Sequence, residues 1–267
     1  RINYNYNSKY YLTASFRADG STKFPKQNRW GYFPSFSVMW NLKEEQFLYN
    51  VNAVSTLKLR NSWGQTGNNR IGDYSYYAKM RSLITSEGIY ASTEYPFDDN
   101  YVSGVIITSP KNDRLKWETT SQWDIGLDLG FLNDKIKLTV DYYDKRTDGL
   151  LLNANLPPSY GFVTAIRNIG KIQNSGFEFA LETFNIKRKN FSWSSNFNIA
   201  FNRNRVLALA ENQESIVSVI SYSNSYIAKI GSPLGQIYGY QYLGTYKYDD
   251  FDLIGDTYVL KEGIPNN

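Results

Sequence analysis

Over long stretches of this chain apolar and polar residues alternate one by one, the period-two pattern of a strand with two different faces. In 9–17, KYYLTASFR, Tyr10, Leu12, Ala14 and Phe16 fall on one side, and Tyr11, Thr13, Ser15 and Arg17 on the other. In 34–42, PSFSVMWNL, the apolar side is Phe36, Val38, Trp40 and Leu42; in 56–64, TLKLRNSWG, it is Leu57, Leu59 and Trp63 against Lys58, Arg60 and Ser62. The clearest case is 118–132, ETTSQWDIGLDLGFL. Trp123, Ile125, Leu127, Leu129 and Phe131 face away from Glu118, Thr120, Gln122, Asp124, Gly126 and Asp128. KIKLTVDYY (135–143) follows, with Ile136, Leu138, Val140 and Tyr142 opposite Lys137, Thr139, Asp141 and Tyr143. GFEFALE (176–182) and FSWSSNFNIAFN (191–202) repeat the pattern.

These segments run to roughly 9–13 residues, where ordinary globular strands have about 5–6 and a strand crossing a bilayer needs about 9–11. Their apolar stripes carry no charge, and on a lipid face one midplane Lys or Arg costs about 2–4 kcal/mol. Aromatic residues near the stripe ends (Tyr10, Trp40, Trp63, Phe131, Tyr142, Phe191) suit interfacial girdles. The links are also ordered. They run long (19–33), medium (43–55), very long (65–114), tight (132–134), long (146–175), short (185–190) and long (203–235). An up-and-down meander places all the long ones at one end, as in outer-membrane barrels with short periplasmic turns and long extracellular loops. The predicted fold is therefore all-β, an antiparallel meander forming part of a large transmembrane outer-membrane β-barrel over 1–267. Roughly eight strands are expected, or ten if 65–114 hides a hairpin. A soluble secreted β-rich carbohydrate-binding domain is the alternative, because a sandwich also alternates, with its stripe buried between two sheets. In the medium link, Asn41 and Glu44 of NLKEEQFL resemble a capping box, and a short helical turn is expected there.

Composition narrows the chemistry. Of 267 residues none is Cys and none His. Disulfides, thiolate nucleophiles, the usual zinc sites and a Ser–His–Asp triad are thereby excluded within this chain. A net charge of +4 without clustering gives no footprint for nucleic acid. Asp124 and Asp128 share a face by ordinary alternation, and no motif surrounds them as the paired carboxylates of a glycosidase would require; no enzyme is expected, and no cofactor. Asp98, Asp99 and Asn100 offer oxygen ligands but form too short a cluster for a calcium site. Aromatic residues make up 16%, with 23 Tyr, which favours strands. There is no run of about 18 apolar residues, hence no transmembrane helix. The chain does not begin with Met and ends on loop-like KEGIPNN, so it reads as a fragment of a longer protein.

Six stretches resemble the C-terminal barrel region of the SusC/RagA family of TonB-linked outer membrane proteins of Bacteroidetes. They are FRADGSTKF with NRWGYFPSFSVMW, LKLRNSWGQTGNNRIGDYSY, LKWETTSQWDIGLDLGFLNDKIKLTVDYYDKRTDGLLL, LPPSYGF with RNIGKIQNSGFEFAL, FSWSSNFNIAFNRNRV, and more loosely IGSPLGQIYGYQYLGTY. The resemblance implies a large barrel closed by an N-terminal plug that this chain lacks. It implies import of glycans or peptides, energised through TonB, with a SusD-like surface lipoprotein as lid.

Candidate residues fall in two groups. Arg17, Lys58, Arg60, Glu118, Gln122, Asp124, Asp128, Lys137, Asp141, Glu178 and Glu182 are expected to face the lumen, as a polar wall for plug or substrate or as charge pairs that satisfy each other. Three Tyr-rich loops are candidates for stacking on sugar rings: 74–80 with Tyr76 and Tyr77, 94–101 with Tyr95, Phe97 and Tyr101, and 238–248 with Tyr240. Tyr-rich loops serve equally well as partner interfaces. Three local roles are also expected. Asp19-Gly20 makes a tight turn with φ > 0 at Gly20, Arg29 and Trp30 form a cation–π or packing pair, and Asn174-Ser175 form a turn between Gly170 and Gly176.

Overall fold

The computed structural model describes residues 1–264 apart from 83–93, 98–99, 104, 163, 211–212, 222–223 and 243. Eight strands form one sheet in chain order: β1 Ile2–Tyr6, β2 Tyr10–Gly20, β3 Trp30–Asn41, β4 Val54–Asn68, β5 Glu118–Phe131, β6 Ile136–Asp148, β7 Lys171–Arg188 and β8 Phe191–Ala208. Every neighbouring pair is antiparallel. All seven alternating segments lie in it. The eighth strand, β1, comes from a hairpin that the sequence pattern did not flag. Asn7 and Ser8 both take positive φ (49° and 55°) and Lys9 N–H donates to Tyr6 O at 3.0 Å. That is the geometry of a primed hairpin turn, whose familiar signature is Asn-Gly.

The links sort as expected. Residues 7–9, 42–53, 132–135 and 189–190 join strands at one end, and 21–29, 69–117, 149–170 and the chain after 208 lie at the other. The very long link does hide hairpins, Lys79–Ser82 with Val105–Ser109 and Glu94–Phe97 with Asn100–Ser103. They stand apart from the eight-stranded sheet and add no strand to it. Residues 42–49 form a 3-10 turn and one short helix, but Asn41 makes no side-chain cap; its amide donates to Ser8 O instead.

Register makes the two faces continuous. One row runs Tyr6, Tyr10, Trp40, Leu59, Leu127, Val140, Phe179, Ile199, and the next below joins Leu57, Leu129, Leu138, Leu181 and Phe197. Since alternate residues point to opposite sides, these rows form one apolar face. Many of its large side chains, among them Phe36, Trp63, Trp123, Phe177 and Phe197, are exposed. Along β5 the stripe from Trp123 to Phe131 is about 20–25 Å tall at the usual strand tilt, close to the apolar band of a membrane barrel.

The dry core is elsewhere. Phe24 and Leu115 are fully buried with Tyr76, and Ile71, Trp117, Leu151 and Ile166 pack around them. These residues come from the three long links. Side-chain amides tie the links together: Asn28 donates to Leu115 O (3.0 Å), Asn112 to Ile166 O and Asn168 to Lys116 O (both 2.7 Å). The result is a compact cap at the long-link end of a single-layer sheet.

Three local expectations change. Gly20 is not left-handed; it ends β2, and a Cβ there would meet the Trp30 indole at 3.3 Å, so its bareness makes room for that ring. Trp30 therefore packs on Gly20, and the cation over a ring in this region is Arg17 above Phe33, 5.6 Å from its centroid. Asn174 and Ser175 lie inside β7, paired with β6 and β8; the chain turns at Gly170, whose φ is 82°.

Candidate functional site

The face opposite the apolar rows is polar and carries a built ion-pair network. Arg60 on β4 sits two strands from Asp141 on β6, with Gly126 of β5 between them in register. Its guanidinium crosses the intervening strand. Nε and Nη2 donate to Asp128 (2.8 and 3.0 Å), and Nη2 also donates to Asp141 (2.9 Å). A Cβ on residue 126 would lie 2.6 Å from the guanidinium and collide with the Asp141 carboxylate. The missing side chain is what lets Arg60 reach across. Thr139 adds a hydrogen bond to Asp128 at 3.1 Å. Both carboxylates are 28% exposed, so each retains some water. Arg60→Gln is expected to cost about 1–2 kcal/mol, since it leaves two partly buried acids facing one another. Gly126→Ala should cost a similar amount in the wild type and little in the Arg60→Gln background. The unfolding temperatures of the four proteins measure this coupling, and purely additive losses would refute it.

The remaining sequence candidates on this face are placed individually. Asp124 accepts from Ser62 (3.3 Å) and Gln122 (2.8 Å). Glu118 accepts from Asn68 (3.1 Å) and the Leu151 amide (3.3 Å), joining the wall to the cap. Arg17 pairs with Asp19 at 2.8 Å. Lys137 and Glu182 approach to 3.8 Å. Lys58 stands opposite Asp128 in register, and Glu178 lies beside Asp141. Two hollows open on the same face. One, of about 600 Å³, is lined by Ser15, Arg17, Phe33, Gln122 and Lys145. The other, of about 670 Å³, is lined by Arg60, Asp141, Tyr143, Glu178 and Asn202.

The aromatic candidates divide. Tyr76 is only 8% exposed and belongs to the cap core, so its ring is a packing group. Tyr77 packs against it with 4.2 Å between centroids and the rings tilted by 35°, and is half-exposed, with Tyr74 beside it at 6.2 Å. Tyr74 and Tyr77 thus form the open surface of this loop. Tyr95, Phe97 and Tyr101 belong to a hairpin of the longest link, and Asp98 and Asp99 lie outside the described residues. Tyr240 is fully exposed.

Glu45, at the short-link end, is a functional group of the fold that alternation could not single out. It accepts from Tyr10 Oη (2.7 Å), Trp40 Nε1 (3.1 Å) and Lys9 Nζ (3.1 Å), clamping the 42–53 turn onto β2 and β3. The Tyr10 hydroxyl above all, then Lys9 and Trp40, hold the Glu45 carboxyl below its ordinary pKa. The clamp is therefore complete above the ordinary carboxylate range and is lost as pH falls through the lowered value. Trp40 fluorescence should be flat from about pH 8 down to the ordinary Glu range, about 4.3, and change only below it. Glu45→Gln should remove that transition. A wild-type transition that survives Glu45→Gln would assign it to another group.

Residues 1–264 match the family model described as TonB dependent receptor-like, beta-barrel. The chain is 36% identical over 255 residues to TonB-dependent receptor P3 of Formosa agariphila, covering 94% of this chain and 24% of that protein. It is 41% identical over 218 residues to TonB-dependent receptor SusC of Bacteroides thetaiotaomicron, covering 80% and 21%. Among solved structures, the RagAB peptide importer in its open-open state superposes with a TM-score of 0.75 at 27% identity, over 86% of this chain and 24% of that one. The chain thus spans about a quarter of the length of these relatives.

Proposed function

The chain belongs to the TonB-dependent receptor-like β-barrel family, and on that premise we propose that it is one arc of the wall of an outer-membrane importer. Its cargo is glycan oligosaccharides or peptides. Energy comes through TonB, and a SusD-like surface lipoprotein closes the mouth. The observation that carries this reading is the single-layer sheet. A continuous apolar face stands exposed on one side and a polar, hollowed face on the other, and every long link lies at one end. Among the described residues no second sheet covers the apolar face, as a soluble sandwich would need. No helix of the described residues is long and apolar enough to cross a membrane.

In this setting the polar face is the lumen wall. Arg60, Asp128 and Asp141 hold a fixed charge pattern toward plug or passing substrate, and Arg17, Lys58, Glu118 and Asp124 extend it toward the mouth and the periplasm. The cap is extracellular. Tyr74, Tyr77 and Tyr240 offer ring faces to sugars, peptide side chains or the lid. Likeness to the RagAB peptide importer supports peptides as one cargo class.

The test is affinity purification of the whole polypeptide from detergent-solubilised outer membranes, followed by binding of defined oligosaccharide and oligopeptide mixtures. A surface lipoprotein recovered in comparable amount, and retention of one mixture by the complex, are expected. A folded polypeptide recovered alone would remove the lid from the reading.

A further inference from the structure

The apolar face does not fade at its upper edge; it stops. Its last complete row on β6, β7 and β8 is aromatic, Tyr142, Phe177 and Phe201. The next row on the same face is Asp144, Ser175 and Arg203, and the one above it is Arg146, Gln173 and Arg205. One strand step further, Lys171 pairs with Asp148 in register. Within two residues the outward surface changes from rings to cations, on the side of the long links.

The charges there do not cancel. Arg146 is held by Asp144 at 2.8 Å and Lys171 by Asp148 at 2.7 Å. Arg203 and Arg205 are both exposed and have no carboxylate partner among the described residues. Being two apart on one strand, their side chains leave the sheet on the same side about 7 Å from one another. Between them and Arg146 lie Ser175, whose hydroxyl is able to donate, and Gln173, whose amide donates to Asp144. Two guanidiniums without a carboxylate partner among the described residues, set directly above an aromatic girdle, face the headgroup layer, where the planar fork of Arg matches a phosphate.

We propose that Arg203 and Arg205 form a binding site for the phosphate groups of an outer-leaflet glycolipid, with Ser175, Gln173 and Arg146 as its floor and the Tyr142–Phe177–Phe201 row against the acyl chains. The occupant is a lipid because the site continues the apolar face and points away from the polar hollows, where a transported ligand passes. The site orients this arc of the wall in the membrane and holds a lipid through extraction. It rests on the membrane reading given above.

The test uses the whole polypeptide purified in detergent, with diphosphorylated lipid A and its dephosphorylated form as probes, each in matched micelles. Native mass spectrometry reads the lipid retained. The wild type should keep the phosphorylated form about tenfold better than the dephosphorylated one, and R203Q/R205Q should lose about that factor. R203K/R205K keeps the charge without the fork and should retain only part of the binding, and rising salt should weaken it. Equal retention of both lipids, equal retention by wild type and R203Q/R205Q, or displacement of lipid A by an acidic oligosaccharide would each overturn the proposal. A gel shift between boiled and unboiled samples is read alongside. Its loss from the wild type would instead contradict the barrel itself.

Discussion

Leu127→Arg is expected to remove most of the protein from the outer membrane. Leu127 lies midway along the β5 stripe, between Leu59 and Val140 of the adjoining strands. An arginine at that depth on a lipid face costs about 2–4 kcal/mol, and the penalty falls to about 0–1 near the interfaces. Trp123→Arg, four residues higher on the same stripe, should therefore be tolerated far better. Asn198→Arg on the polar face should be close to wild type. The heat-modifiable band in isolated outer membranes measures all three. A soluble core would penalise positions 123 and 127 alike, so the depth gradient separates the readings. Equal loss at both positions would count against a bilayer on this face.

Phe24→Ala is expected to act on the cap and leave the wall standing. Phe24 is fully buried, against Trp117 at 5.3 Å between ring centroids and beside Leu115 and Tyr76. Truncating such a ring costs about 3–5 kcal/mol. The cap is tied to the sheet chiefly through Phe33, Trp117 and the Glu118 contact to Leu151, so the loss should appear as local opening. Limited proteolysis should cut the long links of Phe24→Ala in intact cells, while the unboiled band keeps its wild-type mobility. Unfolding of wall and cap together would show that they form one cooperative unit, contrary to this account.

The sheet was legible because strand alternation is a local property. Tyr10 to Phe16, Trp123 to Phe131 and Ile136 to Tyr142 announce their faces without knowledge of their neighbours, and the observed register joins them into continuous rows. Link lengths were legible for the same reason. Less could be read where conformation depends on a partner. β1 was missed because Asn7-Ser8 makes its turn with no glycine, and Asn174-Ser175 looked like a turn until β6 and β8 paired with it on both sides. The cap core was out of reach. Phe24, Tyr76 and Leu115 lie in three separate loop stretches with no shared periodicity. The Arg60–Asp141 pair is separated by 81 residues and exists only because register sets Gly126 between them. A slip of one residue in either strand would turn its side chain to the opposite face and part the pair. Tyr76 shows the same limit from the other side: its composition resembles that of Tyr77, yet one ring is buried and the other open.

The central claim is that the apolar face of this sheet meets lipid. These 267 residues contain no cysteine, so single cysteines can be placed at 123–131 one at a time in the whole protein, with any cysteine elsewhere in it replaced by serine. Each would carry a fluorescent label in outer-membrane vesicles containing brominated phospholipid. Quenching at 125, 127 and 129, with none at 124, 126 and 128, is the result this account requires. Absence of quenching along the whole strand, or quenching on the Asp124–Asp128 side, would contradict it.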